Sequence, residues 1–279
     1  MAVQYKRIGK AINVISRLSP SLANRLSFRL FTTPRPRPIK PAERDFLARA
    51  RQEDLQVGPH RIRWYRWGKA GAPRVLFAHG WESNAGRWRS FIPPLLDGGY
   101  EAIAFDAPAH GQSSGKRLHL IMYMQSLRAL VARVGPVMGY VGHSMGGGAG
   151  ILSFAEHGTV LGPKKMVILG AFATVHEVYD RYAGMLGLAP RLKPVFDAHI
   201  RRLSGGKGLA DFNVEEKVRL LHDVSGLVIH DKDDKSVPFA EGKRIAEAWP
   251  GARFLPTKGA GHSLQTPEIH RAVADFIMG

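Results

Sequence analysis

The segment Gly142-His143-Ser144-Met145-Gly146 has the pattern G-x-S-x-G and lies between two segments of different character. Residues 137–141 form a short apolar run typical of a buried strand, and residues 147–152 are small or aliphatic and can begin a helix. A strand that turns sharply into a helix strains the residue at the turn and exposes its side chain. Glycines on both sides avoid collisions in so tight a turn. The pattern therefore predicts a nucleophile at Ser144.

Two later segments contain the other side chains that a serine nucleophile needs. A strand-like run at residues 227–229 leads into a loop with Asp231, Asp233 and Asp234, and a second run at residues 253–256 leads to His262. The order serine, acid, histidine is that of the α/β-hydrolases. At this point the chain resembles the α/β-hydrolase superfamily, in its serine esterase-like branch, over roughly residues 55–279.

Two further segments carry the same resemblance. Residues 75–81 (VLFAHGW) have the pattern of a buried strand that ends in a His-Gly turn, and residues 105–113 (FDAPAHGQS) are similar to the family's D-x-P-x-x-G-x-S turn. Four matches in the family's order are far more specific than G-x-S-x-G alone. The resemblance implies an α/β fold with a mostly parallel sheet, helices on both faces and a small helical cap at about residues 176–222.

The resemblance also implies roles for five residues. Ser144 is the expected nucleophile, His262 its general base, and Asp234 the acid that orients the histidine. The backbone N–H groups of Trp81 and Met145 are the expected donors to the oxyanion that forms when a carbonyl is attacked. The sequence identifies no particular substrate-binding residue.

The acid is the position at which this chain departs from the family pattern. The pattern H-G-x-x-D-x-x-V-P places Asp234 four residues before Pro238. However, Asp231 stands where glycine is usual, and Asp233 adds a neighbouring carboxylate. Asp234 is favoured, and the other two aspartates remain alternatives that we expect to lie in a charged, solvated loop.

Other residues in these motifs have structural interpretations. We expect His79 and His143 to support the oxyanion loop and the elbow, and Asp106 and His110 to stabilise a turn. Six large side chains in the cap either line an acyl pocket or attach the cap to the body, and attachment is favoured for most of them. These six are Tyr179, Tyr182, Met185, Leu186, Leu188 and Phe196.

The remaining segments alternate between strand and helix patterns, which is typical of a parallel sheet covered on both faces. The patterns predict a helix over residues 41–52, a hairpin across Gly58-Pro59, a helix over 87–96 and a helix over 119–134. Active sites of such sheets lie at the carboxyl ends of the strands. The predicted nucleophile, acid and histidine all follow predicted strands.

Residues 1–42 differ from the rest of the chain in charge. They contain nine Lys or Arg and no Asp or Glu, in a protein of 279 residues with net charge +17. Isoleucines at 8, 12 and 15 recur at helical spacing, Ser19-Pro20 is typical of a helix start, and leucines follow at 22, 26 and 30. The prolines at 34–41 predict an extended link. The predicted domains are therefore a basic amphipathic arm with its Pro-rich link, residues 1–42, and a hydrolase domain, residues 43–279.

The arm has two interpretations that the sequence supports equally. It binds an anionic membrane surface, or it packs on the hydrolase domain and presents a solvated basic face. No motif of nucleic-acid recognition accompanies the charge, so we expect no specific nucleic-acid partner. An organelle transit sequence would share the Arg-rich, acid-free composition.

Composition limits the remaining possibilities. No run reaches the length of a membrane span without a charge or a glycine-rich interruption. Cysteine is absent, which suits a reducing compartment, and we expect a cytoplasmic protein that the arm can place at a membrane periphery. The histidines show no zinc-site spacing, so we expect neither a metal nor a cofactor.

These features predict a carboxylesterase-like serine hydrolase. It would cleave a small-molecule carboxylic ester or thioester through an acyl-enzyme intermediate. Related dehalogenases and epoxide hydrolases have aspartate at the elbow, so a serine there indicates acyl transfer. The alternatives are a C–C bond hydrolase or other serine-triad chemistry on the same fold, and a non-catalytic small-molecule binding module.

Overall fold

The computed structural model describes residues 2–157 and 162–279. By internal contacts the chain divides into two compact units. The sheet unit comprises Pro34–Ala173 and Val214–Gly279, and the helical unit comprises the residues up to Thr33 together with Thr174–Asn213. This division differs from the predicted boundary at residues 42 and 43, because the N-terminal helices pack on the helices of the predicted cap.

The sheet unit contains an eight-stranded sheet in the order β1-β2-β4-β3-β5-β6-β7-β8. The pairs β1–β2 and β2–β4 are antiparallel, and every other neighbouring pair is parallel. The prediction of a mostly parallel sheet with helices on both faces is confirmed. The strands are β1 (Arg51–Val57), β2 (His60–Trp67), β3 (Arg74–Ala78), β4 (Glu101–Phe105), β5 (Gly139–His143), β6 (Lys165–Leu169), β7 (Ser225–Asp231) and β8 (Arg253–Thr257).

Two helices of the sheet unit differ from their predicted bounds. The helix expected over residues 41–52 ends at Ala48, because residues from Arg51 pair with β2. The helix expected over 87–96 is a 3₁₀ turn, Ala85–Ser90, followed by a short α-helix whose first turn contains the prolines. The α-helices of this unit are α3 (Pro41–Ala48), α4 (Ile92–Asp97), α5 (Leu120–Val134), α6 (Met145–His157), α9 (Val214–Lys217), α10 (Phe239–Ala248) and α11 (Pro267–Met278).

The central strands position the loops of the candidate site. Strands β4 and β5 are buried along their whole length, as expected for strands covered on both faces. The carboxyl ends of β3, β5, β7 and β8 lead respectively to Trp81, Ser144, Asp234 and His262. Parallel strands bring these four loops to the same edge of the sheet.

The helical unit contains four longer α-helices, α1 (Ala2–Leu18), α2 (Pro20–Thr32), α7 (Val175–Leu186) and α8 (Leu192–Ser204). The predicted start of α2 is confirmed, since Ser19 accepts a hydrogen bond from the N–H of Leu22 at 3.3 Å and Pro20 is the first helical residue. Helix α1 lies very close to α7. A side chain at Gly9 would collide with the backbone of Leu186, so glycine permits this approach.

Apolar and aromatic side chains form the interior of the helical unit. Ile12 packs with Ala23 and Leu192, and Ile8 and Ile15 lie against this cluster.

An aromatic group extends the same interior. Phe31 contacts Tyr182 and Phe196 with ring centroids 4.8 and 5.4 Å apart, and Phe28 also contacts Phe196. Of the six cap side chains considered for an acyl pocket, Tyr179, Tyr182, Leu186 and Phe196 are buried and belong to this interior, Leu188 packs beside Ile12, and Met185 is exposed. Within residues 2–157 and 162–279, no helix is both long and apolar enough to cross a membrane.

Candidate active site

The turn between β5 and α6 holds Ser144 in an unusual backbone conformation. Its φ of 51° lies in the left-handed region, which non-glycine residues rarely adopt. A Cβ on Gly142 would lie 2.8 Å from the nitrogen of Gly147, and a Cβ on Gly146 would lie 2.2 Å from the carbonyl oxygen of Ala78. The structure therefore confirms that glycine is required on both sides of the serine.

Ser144, His262 and Asp234 are connected by hydrogen bonds. His262 Nε2 lies 3.1 Å from Ser144 Oγ, and His262 Nδ1 lies 2.7 Å from Asp234 Oδ2. The carboxylate of Asp234 is buried, whereas the His262 side chain is about a quarter exposed. An alcohol, an imidazole and a carboxylate thus stand in series, which is the arrangement that activates a serine.

The surroundings of Asp234 keep its carboxylate ionised. Oδ1 accepts the N–H groups of Ser236 and Val237 at 2.7 and 2.9 Å. Nε2 of the buried His230 lies 3.4 Å from Oδ2. Burial alone would raise the pKa of Asp234, but hydrogen bonds from His230, His262 and the Val237 N–H lower it well below its usual range. The structure therefore connects Asp234, and neither Asp231 nor Asp233, to the histidine.

The expectation that Asp231 lies in a solvated loop is wrong. The residue ends the buried strand β7 and is inaccessible to solvent. Its carboxylate accepts the N–H of Asp233 at 2.9 Å, the hydroxyl of Thr257 at 2.7 Å and the N–H of Ala260 at 3.0 Å. Asp231 therefore ties the acid loop to the segment that precedes His262. Asp233, in contrast, is exposed as expected.

The loop after β3 is held by His79. The N–H of Ala107 donates to Nε2 at 3.0 Å, so Nδ1 carries the hydrogen and donates to the carbonyl of Gly80 at 2.7 Å. Burial lowers the pKa of His79, which keeps it neutral. The hydroxyl of Tyr123 donates to the His79 carbonyl at 2.6 Å. His79 therefore has the supporting position that the sequence predicts.

The same loop passes directly beside the elbow. A Cβ on Gly80 would lie 2.7 Å from His143 Nδ1 and 2.9 Å from the Cβ of Ser144. Trp81 follows, and its N–H donates to no atom of the residues that the structure describes. Met145 begins α6, so its N–H has no partner within the helix. The backbone N–H of Met145 therefore directly follows Ser144 in the chain. The backbone N–H of Trp81 directly follows Gly80, the residue that packs against Ser144.

His143 connects the elbow to the backbone of His262. Its Nε2 donates to the carbonyl of His262 at 2.7 Å, and burial lowers its pKa so that the ring is neutral. Nδ1 is buried and has no hydrogen-bond partner in the described part of the chain. His143 therefore fixes the backbone of His262, in agreement with its predicted supporting role.

Glu82 holds the loop after β3 on the far side of Trp81, through a partner that the sequence analysis missed. Its φ is 51°, and its N–H donates to His110 Nε2 at 2.9 Å. Its carboxylate accepts the Arg35 guanidinium at 2.6 Å and the Arg35 N–H at 3.0 Å. Burial alone would raise the pKa of Glu82, and the hydrogen bonds from Arg35 lower it. A residue of the Pro-rich link thus anchors the loop next to Trp81.

Asp106 stabilises the neighbouring turn, as predicted. The buried carboxylate accepts the Tyr65 hydroxyl, the Ala85 N–H and the Gln112 N–H, each at 2.8 Å. His110 completes the turn, because its Nδ1 donates to the carbonyl of Pro108 at 2.9 Å.

In residues 2–157 and 162–279, no group of three or more potential metal-ligating side chains is arranged to hold an ion.

Comparison with known proteins identifies the class that this fold and site define. The sequence model described as "Alpha/beta hydrolase family" matches residues 75–276. The chain therefore belongs to the alpha/beta hydrolase family.

Similar proteins cover most of the chain. A non-heme haloperoxidase of Rhodococcus erythropolis is 36% identical over 76% of this chain and 92% of its own length. The non-heme chloroperoxidase CPO-A1 of Kitasatospora aureofaciens is 26% identical over 71% of this chain and 87% of its own. The solved structure of Est1E from Butyrivibrio proteoclasticus with ferulic acid shares the fold, with a TM-score of 0.68, 18% identity, and coverage of 81% of this chain and 98% of that one.

Proposed function

We propose that this family member is a serine hydrolase that cleaves a carboxylic ester or thioester through an acyl-enzyme intermediate. The observation that carries the proposal is the hydrogen-bonded series of Ser144, His262 and the ionised Asp234. The left-handed backbone at the serine supports it, since such strain is typical of a nucleophile elbow.

The reaction would proceed in two acyl transfers. The Ser144 oxygen bonds to the substrate carbonyl carbon while its proton passes to Nε2 of His262. The N–H groups of Trp81 and Met145 stabilise the oxyanion, and each such donor is worth about 2.7–4 kcal/mol in related cases. The imidazolium returns the proton to the departing alcohol or thiol, leaving an acyl-serine. Water, deprotonated by His262, then releases the carboxylic acid and restores the hydroxyl.

The test is hydrolysis of p-nitrophenyl esters, from acetate to palmitate, by the wild type and by Ser144→Ala. We expect a burst of nitrophenol from the wild type and a loss of kcat on the order of 10⁶-fold in the variant. Ser263→Ala is the matched control, because the Ser263 hydroxyl is exposed and bonds only the carbonyl of Ala260 within the described part of the chain.

Two outcomes would contradict the proposal. The first is hydrolysis by Ser144→Ala at the wild-type rate. The second is a folded wild type that turns over no ester and does not react with a serine-directed phosphonate probe. The second outcome would favour a non-catalytic binding module.

A second candidate follows from the similarity to the haloperoxidases. The Ser144 oxygen would take its acyl group from a carboxylic acid, with water as the leaving group. Hydrogen peroxide in place of water would then attack the acyl-serine and release a peracid, which can oxidise a halide. We would measure bromination of monochlorodimedone with peroxide, bromide and acetate. Two results together would favour this candidate over the esterase. Bromination would be lost in Ser144→Ala, and the wild type would brominate faster than it hydrolyses p-nitrophenyl esters.

A further inference from the structure

The outward face of α1 carries both cations and aliphatic side chains. Lys10, Val14, Arg17 and Leu18 are exposed and recur at helical spacing, so they form one stripe. Val14 is 60% exposed and Leu18 is 89% exposed. The opposite face, with Ile12, is buried within the helical unit. Val14 and Leu18 therefore lie on an outer side of α1 that takes no part in the packing of the helical unit.

Helix α2 also exposes leucines, although its inner side contains apolar residues. It buries Ala23 and Phe28 together with the polar residues Asn24, Ser27 and Thr32. Leu22 and Leu26, in contrast, are 45% and 39% exposed. A helix on the surface of a water-soluble unit normally buries its leucines and exposes its polar residues. Folding of the helical unit therefore does not account for the exposed leucines.

Cations lie among these leucines. Arg25 and Arg29 are exposed on the same side of α2 as Leu22 and Leu26, at spacings of three and four residues. In the described part of the chain Arg17, Arg25 and Arg29 form no ion pair, and residues 1–42 contain no Asp or Glu. The outward face is thus apolar and uniformly positive.

We propose that the outward face of α1 and α2, defined by Leu18, Leu22 and Leu26 with Arg17, Arg25 and Arg29, binds an anionic lipid surface. Leucines enter the boundary between headgroups and acyl chains, and the arginines bind phosphate groups.

Charge and side-chain type favour this partner over two others. Nucleic acid would use the cations but leave the exposed leucines without a role. A second copy of the chain would bring two positive faces together, which is unfavourable. The proposal goes beyond the hydrolase activity and does not depend on it.

The test is co-sedimentation of the full chain with vesicles of phosphatidylcholine alone or mixed with phosphatidylglycerol, at low and high salt. We expect binding to the mixed vesicles, weakened by salt, and much weaker binding to phosphatidylcholine alone.

The triple variant Leu18→Ser, Leu22→Ser, Leu26→Ser separates insertion from simple charge attraction. We expect the partition coefficient on mixed vesicles to fall at least roughly tenfold, because three apolar contacts are lost. Unfolding midpoints measured in parallel should stay close to the wild-type value, since none of the three side chains is buried in the interior of the helical unit.

The triple variant Arg17→Gln, Arg25→Gln, Arg29→Gln tests the charge. Its partition coefficient should fall roughly a hundredfold, since each cation near an anionic surface contributes a roughly fivefold factor.

A control variant with the same change in net charge is Lys69→Gln, Arg219→Gln, Arg271→Gln, at exposed positions of the sheet unit. It should bind nearly as well as the wild type. Equal losses in the control and arginine variants would overturn the proposal, because they would show non-specific attraction.

Three further results would also overturn it: unchanged lipid binding by the leucine variant, equal binding to both vesicle types, or a dimer in solution that the leucine variant dissociates. The last result would assign the face to a second copy of the chain.

Discussion

Buried polar side chains have different uses in the two units. In the sheet unit, Asp106 and Asp231 accept backbone N–H groups of the loops around the candidate site. In the helical unit, the side-chain hydroxyl of Ser27 lies 3.3 Å from the hydroxyl of Tyr182, and buried Asn24 lies on the inner face of a helix that exposes leucines. Buried polar side chains in the sheet unit position the loops of the candidate site, whereas those in the helical unit lie between helices whose outer sides expose leucines.

After the loss expected for Ser144→Ala, the largest effect should come from the carboxylate that completes the candidate triad. Asp234→Asn should lower kcat/KM for ester hydrolysis by on the order of 10⁴-fold, because an amide cannot stabilise the imidazolium and favours the wrong histidine tautomer. The measurement is steady-state hydrolysis of a p-nitrophenyl ester.

Asp233→Asn is the control for this variant. Asp233 is exposed, and within the described residues its carboxylate accepts only the N–H of Gly259, so activity should stay near the wild-type value. A larger loss in Asp233→Asn than in Asp234→Asn would reverse the assignment of the acid.

A second prediction concerns the interior of the helical unit. Ile12→Ala should lower the free energy of unfolding by about 2–5 kcal/mol, because it removes buried methyl groups and leaves a cavity. Leu18→Ala, on the exposed side of the same helix, should change it by about 0.5 kcal/mol or less. Urea unfolding followed by circular dichroism compares the two. Equal effects would show that α1 is not packed through the isoleucine face.

The two units also differ in how far the sequence predicts them. The elbow, the order of Ser144, Asp234 and His262, and the alternating sheet follow from local patterns, because strand ends and tight turns restrict which residues fit. The burial of Asp231 does not follow, since its partners Thr257 and Ala260 lie on another strand and loop.

The N-terminal helices illustrate the limit of periodicity. Ile8-Ile12-Ile15 and Leu22-Leu26 have similar helical spacing, and both predict an apolar face. The first set is inside and the second is outside. The difference arises from distant contacts, such as that between Gly9 and Leu186, which spacing along one helix does not encode.

The smallest predicted effect concerns Arg35, which the sequence placed in a simple link. Arg35→Ala should lower kcat about tenfold with little change in KM, because Glu82 would lose the charged partner that holds the loop of Trp81. A larger loss is not expected, since the Arg35 side chain is 62% exposed and water screens the pair.

Arg37→Ala is the matched control, because Arg37 is an exposed arginine two residues further along the same link and no hydrogen bond joins it to Glu82 in the described residues. Its kcat should stay near the wild-type value. Arg35→Lys should recover part of the activity that Arg35→Ala loses. The lysine ammonium keeps the positive charge, but it cannot form the paired hydrogen bonds of a guanidinium with a carboxylate. Equal thermal unfolding of all three variants would show that the change in kcat reflects the position of the loop that carries Trp81. An unchanged kcat in Arg35→Ala would show that the backbone and His110 hold Glu82 without the guanidinium.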